Sequence, residues 1–174
     1  MLIVINKLVI PFSPENKEEL LSKVRAFLTL EDRLDFSLLI PPPPQIYIGN
    51  LAFEGEKDFQ CNWSRWNTEN WGTKWNVESS SFTVKKEEKV FEIVFNTAWT
   101  IPYPVISAIN NRLQVPFVHR YFEEGSSFWG IEIWGRERLS FEAATISRIE
   151  KRYSLDEDYR SLFIELKGYD PEEG

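Results

Sequence analysis

Between residues 82 and 134 the apolar residues change period twice, and that succession limits the available folds more than any figure of composition. Phe82 and Val84 alternate with polar neighbours, Lys85 to Lys89 is a charged break, and Phe91, Ile93 and Phe95 alternate again, the pattern of a β-hairpin. Pro102 and Pro104 then open a segment in which Val105, Ile109 and Leu113 fall four apart, predicting a helix that ends before Pro116. Phe117 to Phe122 returns to strand character, Gly125-Ser126-Ser127 is a turn, and Phe128 to Trp134 is the antiparallel return.

Beyond these, residues 141–152 carry Phe141, Ala144, Ile146 and Ile149 in an imperfect helical pattern, and Leu162, Ile164 and Leu166 alternate in what reads as a final strand. From residue 89 onwards the order is therefore strand, helix, strand, strand, helix, strand. This is the split βαβ order of a ferredoxin-like α+β fold, in which helices cover one face of an antiparallel sheet.

The N-terminal part reads as an extension of that unit. MLIVINKLVI lacks the basic stretch and small-residue cleavage site of a signal peptide, is interrupted by Asn6-Lys7, and fits a first strand. Ser13-Pro14-Glu15 has the capping acceptor, N1 proline and first-turn acid of a helix start. Leu20, Leu21, Val24, Phe27 and Leu28 define its buried face. Four prolines, Pro41 to Pro44, form a stiff connector. Residues 1–53 are thus read as a strand, helix and proline connector, and 54–174 as a tryptophan-rich loop followed by the ferredoxin-like domain, the two forming one compact unit. Residues 54–75 show little regular period and are read as an ordered loop.

Of 174 residues, 20 are Lys or Arg and 27 are Asp or Glu, a net charge of −7 that works against binding nucleic-acid phosphates or anionic lipid. The excess is uneven, at −3 over residues 1–60, +2 over 61–120 and −6 over 121–174. The single cysteine, Cys61, and single histidine, His119, exclude an intrachain disulfide and a Cys/His zinc cluster, and one thiol cannot supply an iron–sulfur centre. No apolar stretch approaches the length of a membrane span. These features lead to the expectation of a cytoplasmic protein without membrane association.

No motif carries chemistry. The serines lie outside any nucleophile elbow, the eight glycines make no phosphate-binding loop, and Asp156-Glu157-Asp158 lacks the spacing of a calcium loop. The reading therefore leans away from an enzyme and assigns no catalytic residue, metal or cofactor. What the sequence does concentrate is indole: five of seven tryptophans fall between residues 61 and 99, among Asn62, Arg65, Asn67, Asn70 and Lys74. Such a cluster suits a recognition surface or, more often, a local core. Within it Gly72 is assigned to a turn, Trp75 to the core, and Trp71 with Lys74 to the exposed surface.

Candidate binding residues are Trp71, Lys74, Trp99, His119, Tyr121 and Glu123. His119 sits on one strand face with Tyr121, and Glu123 lies further along the strand; this reads as a partly exposed histidine rather than a general base. An enzymatic reading would require His119, Glu123 and Lys74 to share one cleft.

Asn70-Trp71-Gly72-Thr73-Lys74-Trp75, preceded by Trp63 and Trp66 and followed by Phe95-Asn96-Thr97-Ala98-Trp99 with Pro102, resembles the signature of the YubB-like proteins of bacteriophages and plasmids. Phe36-Ser37-Leu38-Leu39-Ile40-Pro41 with Pro43, and Tyr121 to Gly125 before Phe128-Trp129-Gly130, resemble further blocks of that family. The resemblance spans most of residues 36–130. It implies a C-terminal ferredoxin-like domain and a mobile-element setting, and assigns no reaction. The resulting expectation is a non-enzymatic module that binds a host or phage protein. Single-stranded nucleic-acid binding on an aromatic sheet face, or acidic mimicry of nucleic acid, are the alternatives.

Overall fold

The computed structural model describes residues 2–46, 62–123, 128–135 and 138–145, together with 161, 164–165 and 168–170; for 138–145 only the backbone is described. Strand β1 is Ile3–Pro11, helix α1 Lys17–Arg25, and a short 3-10 turn covers Phe36–Leu38. Helix α2 is Trp63–Trp71, followed by β2 Ser80–Lys85 and β3 Val90–Ala98. Helix α3 is Tyr103–Leu113, and β4 Phe117–Glu123, β5 Phe128–Trp134 and β6 Arg138–Thr145 complete the described sheet.

The six strands lie in the order β2-β3-β1-β4-β5-β6, every neighbouring pair antiparallel. Helix α1 lies between β1 and β2 in the chain, with β3 inserted between those strands in space. Helix α3 lies between β3 and β4, with β1 inserted. Two interlocked split βαβ units are the ferredoxin-like arrangement. The fold class agrees with the sequence reading, but the repeating order begins at β1 rather than at residue 89. The N-terminal strand is the middle of the sheet, with Asn6 opposite Phe95 on one side and Tyr121 on the other.

Three elements differ from expectation. Residues 138–145 extend the sheet as β6, with Phe141 opposite Glu132 and Ala143 opposite Gly130, where a helix over 141–152 was expected. Leu139, Phe141 and Ala143 also satisfy a period of two, and an open sheet edge at β5 selects it; the remainder of 141–152 lies outside the described residues. In place of the final strand, Ser161, Ile164 and Glu165 are helical. The Gly168 N–H closes a turn on the Ile164 carbonyl at 2.8 Å, with Gly168 at φ 79°, the left-handed stop that glycine supplies. The segment read as a loop contains α2. Helix α1 starts three residues later than expected, with Asn16 rather than Ser13 as its N-cap, and Ser13 and Asn16 instead close the turn before it, the Ser13 hydroxyl accepting from Asn16 N–H at 3.3 Å and Asn16 Oδ1 from Ser13 N–H at 2.8 Å. The Gly125–Ser127 turn and Asp156–Asp158 lie outside the described residues.

Alternation decides the two faces. Leu8, Ile10, Phe91, Ile93, Phe95 and Phe117 point to the side covered by α1 and α3, where they pack with Leu20, Val24, Val105, Ile109 and Leu113, all at most 2% exposed. Each such side chain contributes about 1.5–3 kcal/mol. The opposite face carries Lys7, only 3% exposed, held by Glu92 at 3.1 Å and by Glu165. Glu92 also pairs with Lys85 at 2.9 Å and Glu165 with Arg120 at 3.1 Å. A cation at the centre of a sheet tolerates this burial because two carboxylates compensate it, although desolvation still holds the Lys7 ammonium below its ordinary pKa.

Candidate functional site

The tryptophan-rich segment folds by a clear local logic. Asn62 caps α2, its Oδ1 accepting from Arg65 N–H at 2.9 Å, and Gly72 ends the helix at φ 76°. A Cβ at Gly72 would stand 2.8 Å from Pro104 Cδ, so this stop is also a close approach between α2 and the start of α3. Trp71 points inward. It is 4% exposed, donates its indole N–H to the Ile40 carbonyl at 2.9 Å, and meets Phe36 and Trp66 edge to face at 5.8 and 5.3 Å. The expected exposure of Trp71 is therefore corrected: helical period from Trp63 carries it to the core side.

After Gly72 the chain runs against the end of β3. Thr73 donates its hydroxyl to the Ala98 carbonyl at 2.9 Å, the Thr100 hydroxyl bonds the Gly72 carbonyl, and Asn67 Nδ2 donates to the Lys74 carbonyl at 2.9 Å. Trp99 occupies the centre of a three-residue turn closed by Thr100 N–H on the Ala98 carbonyl at 2.8 Å. Its own N–H reaches the Leu2 carbonyl at 3.1 Å. It stands at φ 65°, in the left-handed region that costs a bulky residue about 1–2 kcal/mol, and is 53% exposed.

Lys74 bridges the two blocks. Its Nζ lies 5.3 Å from the Trp75 ring centroid and 5.6 Å from that of Trp99, within cation–π range of both. Trp75, assigned to the core by sequence, is half-buried and forms one wall of this arrangement. Beside it runs a small groove of about 50 Å³ lined by Ile3, Trp75, Glu78, Ser79, Asn96, Thr97 and Ala98.

The remaining candidates lie elsewhere. His119, Tyr121 and Glu123 are 0%, 1% and 2% exposed, on the sheet face beneath the helices, so the expectation of a partly exposed His119 is corrected. The histidine became buried because β5 and α3 close over it, which no local pattern in β4 encodes. His119 Nε2 bonds Asn6 Oδ1 at 2.9 Å; Asn6 Nδ2 donates to Val4 O at 3.2 Å and to Thr97 Oγ1 at 3.0 Å, so Asn6 Oδ1 accepts and Nε2 carries the hydrogen. Nδ1 faces Glu132 Oε2 at 3.5 Å, too far for a hydrogen bond.

Glu132 is itself fully buried, accepting from Tyr103 at 2.6 Å and from the Trp134 indole at 3.0 Å. Burial pushes His119 below its ordinary pKa despite the neighbouring carboxylate. Burial opposes ionisation of Glu132 too, but contacts with His119, Tyr103 and Trp134 outweigh it and hold its carboxyl low.

This cluster ties β1, β4, β5 and α3 together without access for a substrate. The contacts described for Lys74 are with Trp75 and Trp99, and none of them joins it to His119 or Glu123. Among the described residues no group of three His, Cys, Asp or Glu side chains is placed to hold a metal, and no helix is long and apolar enough to cross a membrane. A wider cleft of about 550 Å³ has Asn110, Asn111, Gln114 and Gly135 among its described lining residues, none of them titratable.

Fold and surface together define a ferredoxin-like α+β protein that displays an aromatic and cationic ridge. Residues 70–159 match the family described as the ferredoxin-like domain in Api92-like protein, and with more than half of its length matched the chain belongs to that family. The match begins at Asn70, so it takes in the Gly72–Trp75 turn and β2 to β6 and omits β1 and α1. No curated protein and no solved structure matches the chain.

Proposed function

We propose that this protein is a non-enzymatic binding module that recognises another protein through the ridge formed by Trp75, Lys74 and Trp99. The observation that carries the reading is Trp99, a large apolar side chain left half in solvent on a backbone conformation that is unfavourable for it. Strain and exposure at one residue are tolerated where a surface is used, and tryptophan is a preferred anchor of protein interfaces. The mobile-element setting implied by the YubB-like resemblance belongs to the same proposal, with a host or phage protein as partner.

The nucleic-acid alternative has less support. The sheet face without α1 and α3 has Phe122 and Trp129 at 3% and 1% exposure and an ion-paired Lys7 at its centre, so among the described residues it offers bases no open aromatic platform. Acidic mimicry depends on residues that lie mostly outside the described ones. The test is recovery of the tagged chain from its host at low salt beside a Trp99→Gly variant with an unchanged circular dichroism spectrum. A protein retained by the wild type and lost by the variant supports the reading. A protein retained equally by both, or recovery only of oligonucleotides, overturns it.

A further inference from the structure

We infer that the ridge is a two-walled cage for a cation, that Lys74 fills it from within the chain, and that the partner presents a basic side chain which takes its place. The inference rests on the protein-binding reading above and names the chemistry of the partner. An indole face attracts a cation through its quadrupole, and the Lys74 ammonium lies over Trp75 and Trp99 at nearly equal distances, 5.3 and 5.6 Å. Among the described residues Lys74 has no carboxylate within ion-pair distance, so the rings are its described charge-complementary contacts.

The counter-charge for an incoming cation is present next to the cage. Glu78 is exposed, lines the groove together with Trp75, and has no ion pair among the described residues. The groove, at about 50 Å³, accommodates the end of one side chain rather than a ring system. Charge complementarity at the scale of the molecule has the same sign: a chain of net charge −7 attracts a basic segment and repels an acidic one. An arginine head group suits the site especially, because it stacks on an indole and donates to a carboxylate at once.

This arrangement gives Lys74 the opposite sign from an ordinary contact residue. Truncating a binding lysine weakens a complex, whereas truncating a lysine that occupies the ligand's place strengthens it. The experiment is a titration of the full chain with a capped five-residue peptide carrying three arginines, and with its glutamate counterpart. The readouts are the indole N–H resonances of Trp75 and Trp99.

The wild type is expected to bind the arginine peptide and Lys74→Ala to bind it about five- to tenfold more tightly, the size of one or two weak cation–π contacts at an exposed site. Glu78→Gln should weaken binding severalfold, and Trp99→Gly should abolish it. Weaker binding by Lys74→Ala, preference for the glutamate peptide, or no response to either peptide overturns the inference. If Trp99→Gly still loses the cellular partner while Lys74→Ala also loses it, the ridge remains a protein-binding surface and only the basic character of its partner is wrong.

Discussion

Trp99 and Gly72 have the same backbone sign, at φ 65° and φ 76°, with opposite consequences for substitution. At position 99 a glycine relieves left-handed strain of about 1–2 kcal/mol but gives up backbone rigidity and a half-exposed indole. Trp99→Gly should therefore change unfolding free energy by no more than about 1 kcal/mol in denaturant titrations, a result that separates use of the residue from support of the fold. At position 72 an alanine meets both the strain and the ring of Pro104 at 2.8 Å. Gly72→Ala should cost about 2–4 kcal/mol and lower the denaturation midpoint accordingly. The turn role of Gly72 was readable from sequence. The exchange of roles between Trp71 and Trp75 was not, because it depends on which residue is the last of a helix: Trp71 faces Ile40 and Phe36 from the final turn, and Trp75 lies four residues beyond it.

Helix α2 shows why that last residue was hard to place. Its composition, Trp-Ser-Arg-Trp-Asn-Thr-Glu-Asn-Trp, is poor in strong helix formers, and the helix stands on its Asn62 cap, its Gly72 stop and the burial of Trp71 and Asn67. Both end signals were in the sequence, but the low propensity between them concealed the element. The hairpin of β2 and β3, helix α3 and strands β4 and β5 were legible because their periods are unmixed. β6 was missed because Phe141 and Ala144 also satisfy helical spacing.

The elements β1, β4, β5 and α3 meet at the His119–Glu132 cluster, and their joint stability should depend on pH in a defined direction. The folded state holds His119 below its ordinary 6.5, so just below that pH the unfolded chain binds more protons and stability falls as the pH is lowered. Glu132, held below its ordinary 4.5, contributes stability that is present above 4.5 and lost beneath it. Denaturation measured from about pH 7 to pH 4 should show both losses, and His119→Gln should remove the upper one and diminish the lower, because His119 is among the contacts that hold the Glu132 carboxyl low.

At the scale of the whole molecule, fold class was legible while the starting point of the repeat was not. The order strand, helix, strand, strand, helix, strand occurs in register from β1, once α2 is set aside. A similar succession from residue 89 only approximates it. Local period cannot separate the two, because the difference lies in which strand occupies the middle of the sheet. β1 pairs over nine residues with β3 and over six with β4. A fragment limited to the family match, residues 70–159, lacks that strand and should fail to fold as a stable domain. Poorly dispersed amide resonances would be the expected result, and a cooperative melting transition from the fragment would contradict it.

The position of β1 also bears on how the chain is made. Ile3 to Pro11 leave the ribosome before their partners, Val90 to Ala98 and Val118 to Glu123. An apolar strand with two open edges must therefore wait until β3 has been synthesised before it is paired at all, and until β4 has followed before it is enclosed. Its closure joins residues far apart in sequence, which slows folding and lengthens the interval in which unpaired edges invite association with other chains. The buried Lys7, at the middle of that waiting strand, is during this interval an exposed charge that discourages such association, before it becomes a covered, ion-paired cation on the far side of the finished sheet.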